Sequence, residues 1–71
     1  MHLYIWEPRT SGTAVIVMAE SEEKAKELAD EKMKQRIAQS PNDYMVQDWI
    51  NGKMTLTVVE ANQAMTFDLD F

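Results

Sequence analysis

The sequence predicts an α+β fold, a two-layer domain with one helix laid on a mostly antiparallel sheet, in the order ββαβββ. Three observations predict it. A stretch at residues 22–39 carries both helix-start and helix-end signals, short β-branched and aromatic runs stand on either side of it, and an Asn-Gly pair separates two of those runs.

The chain starts with His2, Leu3, Tyr4, Ile5 and Trp6, a run of strand composition closed by Pro8, which has no N–H to give to a sheet ladder. Thr10, Ser11 and Gly12 supply turn chemistry. Residues 13–19, TAVIVMA, then form a continuous apolar run of strand length. Because it is apolar on both faces, this run reads as a central strand. Ser21 is suited to an N-cap, Glu22 and Glu23 suit the positive first turn of a helix, and Lys32, Lys34 and Arg36 suit its negative end. The helix is expected from Glu22 to Gln39. Its apolar residues Ala25, Leu28, Ala29, Met33 and Ile37 make one narrow stripe, so a single face turns inward. Pro41 biases Ser40 out of the helical region and ends the segment.

Asn51 and Gly52 lie between two runs of strand composition, the pattern of a two-residue hairpin with positive φ at both central positions. The register that follows puts Ile50 opposite Lys53, Trp49 opposite Met54, Gln47 opposite Leu56 and Met45 opposite Val58. One face then carries Met45, Trp49, Met54, Leu56 and Val58 as core. Residues 60–64 make a further turn, and residues 65–71 alternate Met65, Phe67, Leu69 and Phe71 inward with Thr66, Asp68 and Asp70 outward, the mark of a half-buried strand.

With 71 residues and no cysteine, the chain is expected to be one domain spanning residues 1–71, without a disulfide or Cys-ligated metal as reinforcement. At this size, burial and chain ordering nearly cancel, which leaves little core to enclose a deep catalytic cleft and makes a partner or a second copy the expected support. The only two glycines are used in turns, so no phosphate-cradling glycine loop can be built, and the single histidine, His2, has no ligand partner at metal spacing. The expectation is no catalytic activity, no cofactor and no metal. A formal net charge of −5 disfavours nucleic acid and favours a protein partner with a basic surface. There is no signal-peptide pattern or membrane-length apolar run, so a cytoplasmic location without membrane association is expected.

One short helix stripe cannot cover five strands, and the second sheet face would hold Tyr44, Val46, Ile50 and Val59 among threonines. Such a face is either a contact surface or simply solvated. Trp6, beside Glu7 and Arg9, has the composition of an exposed binding hot spot. The candidate interface residues are therefore Trp6, Tyr44, Val46, Asp48 and Ile50, joined by Asp68 and Asp70 on the last strand. These two carboxylates read as edge guards against strand pairing, and alternatively as a cation site or part of a phosphate-mimicking face. The six methionines, Met18, Met33, Met45, Met54 and Met65 among them, are explained first by core packing.

The segment VMAESEEKAKELA, in which Ala19, Glu20, Ser21, Glu22 and Glu23 open the helix after a strand, together with the small size and acidity, resembles small acidic single-domain proteins encoded by bacteriophages, some of them anti-CRISPR inhibitors. The resemblance implies binding to a host protein complex and blocking it without catalysis. Two functions are carried forward: a non-catalytic protein-binding module, and a structural or regulatory homo-oligomer such as a homodimer that uses the uncovered sheet face or an edge strand.

Overall fold

The computed structural model describes residues 1–9 and 13–64. The elements run β1 (His2–Glu7), β2 (Val15–Ala19), α1 (Glu22–Gln39), α2 (Tyr44–Ile50) and β3 (Thr55–Val59). The α+β class and the antiparallel sheet are as expected, but the described residues form a sheet of three strands in the order β2-β1-β3 and two helices. The expected turn at residues 10–12 and the expected strand at residues 65–71, with Asp68 and Asp70, lie outside the described residues.

β1, not β2, is the middle strand. Tyr4 is level with Val17 on one side and Val58 on the other, and Trp6 is level with Val15 and Leu56. Alternation along a strand then gives the sheet two distinct faces. Tyr4, Trp6, Val15 and Ala19 face the helices, where they form one cluster with Ala25, Ala29, Met33, Met45 and Val46. The small side chains Ala19, Ala25 and Ala29, all buried, let α1 sit close to β2.

α1 matches the expected span residue for residue. The Ser21 side chain accepts a hydrogen bond from the Lys24 backbone N–H at 3.2 Å, and Ala25, Ala29 and Met33 are the buried positions of its stripe. Leu28, at the margin of that stripe, is 39% exposed.

The expected hairpin at residues 44–59 is not formed. Its first arm is α2, and the cause lies at both ends. Asp43 caps the helix, its carboxylate accepting from the Met45 N–H at 3.0 Å. At the other end Gly52 has φ +68°, but Asn51 has φ −87°, so the pair cannot make the type I′ turn that needs positive φ twice. Instead the Gly52 N–H donates to the Trp49 carbonyl at 3.3 Å and the Lys53 N–H to the Asp48 carbonyl at 2.8 Å, the paired bonds of a left-handed helix C-cap. Asn-Gly serves here as a helix stop. The same apolar residues that alternate as a strand also recur at helical spacing, since Met45, Val46 and Trp49 stand at i, i+1 and i+4. Met45 and Val46 are buried, and Trp49, Met54 and Leu56 pack against the cluster.

Candidate protein-binding surface

Two ion pairs hold α2 in place, and one of them accounts for a residue expected at an interface. Asp48 is buried at 4% exposure. It accepts three hydrogen bonds from Arg9, from the backbone N–H at 2.8 Å, from Nη2 at 2.9 Å and from Nε at 3.2 Å. This two-pronged guanidinium contact lowers the Asp48 carboxyl pKa and raises that of Arg9. Asp43 pairs with Nη2 of Arg36 on α1 at 2.7 Å, and that bond, with the Met45 N–H, holds its carboxyl low as well. One acid of α2 thus ties it to the segment after β1, and the other ties it to α1.

The expected interface residues separate accordingly. Trp6 is 7% exposed and not an open hot spot, because it is on the helix-facing side of the middle strand, edge-on to Trp49 at 5.9 Å and stacked beside Tyr4 at 6.3 Å. Val46 is fully buried, since helical winding turns it inward where a strand would have turned it out. Asp48 is committed to Arg9. Tyr44 and Ile50 are exposed at 77% and 57%, but on α2 and not on a sheet face. The described structure does not bring these five residues onto one surface. Lys26 caps the outer side of the aromatic group, its Nζ 4.0 Å from the Trp49 ring centroid.

The exposed apolar surface on the sheet was not among the expected residues. β2 reads VIVMA, and Ile16 and Met18, on the side away from the helices, are 58% and 61% exposed. Met18 was expected in the core. Met1, 67% exposed, borders the same end of the strand together with Met18, Ala19 and Leu28. The outer face is not open throughout, since Ile5 at its centre, level with Ile16 and Thr57, is fully buried. The opening is along β2. No local signal marks it, because an apolar run on both faces does not say on which sides the strand is covered.

Among the described residues no three His, Asp or Glu side chains converge as a metal site, and no helix is long and apolar enough to cross a membrane. The concavities are shallow and lie along helix and strand margins. No protein-family model, curated protein or solved structure matches the chain.

Proposed function

We propose that this chain is a non-catalytic protein-binding module whose contact surface is the open side of β2. The observation that carries the reading is the pair Ile16 and Met18, each more than half exposed on an uncharged strand. Edge strands are commonly guarded by charge, proline or a bulge, and β2 has neither a charged residue nor a proline. Covering these two side chains is worth about 1 kcal/mol each from apolar area alone, before any backbone pairing. The titratable groups of α2 support this reading from the other side, because Asp43 and Asp48 are occupied in holding the fold.

The resemblance of the sequence to phage-encoded inhibitors suggests what such binding achieves, namely occupying a host protein so that its own contacts fail. Self-association is the other way to cover the strand, and sedimentation at micromolar concentration separates the two. The test of the binding reading is affinity capture with the native chain and with the Ile16→Asp, Met18→Asp double variant. The native chain is expected to retain a stoichiometric partner at moderate salt, and the variant to lose it while keeping its circular dichroism spectrum. A partner held equally by both, or none at all, removes the reading.

A further inference from the structure

We propose that the outer edge of β2 accepts an extended, acidic segment of a partner protein as an added strand, with the Lys24, Lys32 and Arg36 side of α1 as its charge clamp. The inference rests on the binding role proposed above for the same strand.

β1 occupies one side of β2, and among the described residues no strand occupies the other. Two grooves run along that free side beneath α1. One, about 350 Å³, lies between Val15 and Val17 of β2 and Lys32, Met33 and Arg36 of α1. The other, about 420 Å³, lies between Met18 and Ala19 of β2 and Lys24 and Leu28 of α1. α1 therefore runs antiparallel to β2 and hangs one row of side chains, Lys24, Leu28, Lys32 and Arg36, over the open edge. Neighbours in such an i, i+4 row are about 6 Å apart, and alternate residues of a strand are about 7 Å apart. A strand added to β2 would set its helix-side residues against this row nearly one for one.

The row is three cations with one leucine, in a chain whose formal net charge is −5. Lys32 has no ion pair among the described residues, and Lys24 has only an exposed one with Glu27 at 3.5 Å. Arg36 gives Nη2 to Asp43, while its Nε is buried without a hydrogen-bond partner. Among the described residues Glu20 is the one acid lining either groove. Glu27 and Asp43 do not line the grooves, so the described lining itself is net positive, Lys24, Lys32 and Arg36 against Glu20, in a chain that is net negative, and carboxylates fit it. A second copy fits it poorly. Antiparallel pairing of β2 with its own copy about Val17 would lay the Lys24, Lys32 and Arg36 row beside the same row, cation against cation.

Main-chain bonds along β2 would supply affinity, and alternating side chains would supply selectivity, as in other cases of strand addition. The test uses two short probe peptides, one alternating valine with aspartate and one alternating valine with lysine, titrated into the isotope-labelled full chain and followed by amide shifts. The aspartate peptide is expected to give saturable shifts centred on residues 15–19. The Lys24→Glu, Lys32→Glu double variant, which leaves Arg36 and Asp43 intact, is expected to weaken it by about tenfold or more and to gain binding of the lysine peptide. Equal binding of both peptides by the native chain overturns the acidic partner and leaves the binding role standing. Silence of β2 toward both peptides up to millimolar concentration overturns the added strand, while the binding role stands or falls by the affinity capture. A dimer that forms on concentration and dissociates in the Ile16→Lys variant assigns the edge to a second copy and also overturns the proposal.

Discussion

The two sides of β2 are made of the same kind of residue and have different fates. Val15 and Ala19 are buried under α1, while Ile16 and Met18 stand more than half exposed one residue away. Hydrophobicity alone does not separate them. What separates them is where α1 lands: its alanines and Met33 close one side, and nothing among the described residues closes the other along β2. The covered side is core, and the open side along β2 is surface that no described residue covers.

This difference can be tested by removing side chains from each side in turn. The largest effect is expected at Trp6, where Trp6→Ala deletes the ring that joins Tyr4 to Trp49 and should cost about 3–5 kcal/mol in denaturant unfolding. Met33→Ala, on the helix side of the same cluster, should cost about 2–4 kcal/mol. The α2 ion pairs come next and appear as acid sensitivity. Asp43 and Asp48 both have lowered pKa values in the folded chain, so their stabilisation is present above the unfolded carboxylate range and is lost as pH falls through the folded values. Acid titration by tryptophan fluorescence should show unfolding below about pH 4, and Asp48→Asn should flatten that acid limb. Gly52→Ala should cost about 1 kcal/mol from the positive φ alone, since an added Cβ there meets no neighbour within 4 Å. The smallest effect is expected on the open side, where Ile16→Ser with Met18→Ser should change stability by no more than about 0.5 kcal/mol.

The legible part of the sequence was the part governed by local signals that agree with one another. Ser21, the paired glutamates and the alanine stripe all specify one helix, and that helix is present from Glu22 to Gln39. Residues 43–54 carried signals that two structures share. Positive φ at Gly52 serves a hairpin or a helix stop equally, and Met45, Val46 and Trp49 suit either period. Asp43 decides the matter through a cap and an ion pair with Arg36, and a contact seven residues distant is not visible in a local pattern. Core membership survived the change of backbone for Met45, Trp49, Met54 and Leu56, which reach the same cluster by another route, but not for Val58, which is 38% exposed. The candidate surface did not survive it, since winding residues 44–50 into a helix turned Val46 inward and gave Asp48 to Arg9. The exposed edge of β2 was hidden for a different reason: strand order is a long-range property, and an apolar run does not say on how many sides it is paired.

Amide hydrogen exchange along residues 15–19 of the free chain tests the open edge most directly. In an antiparallel edge strand alternate N–H groups point to the neighbouring strand and to solvent. An open β2 predicts alternating slow and fast exchange across the five residues of the strand. Uniformly slow exchange at all five would mean that both sides of β2 are already paired in solution, and would contradict the account.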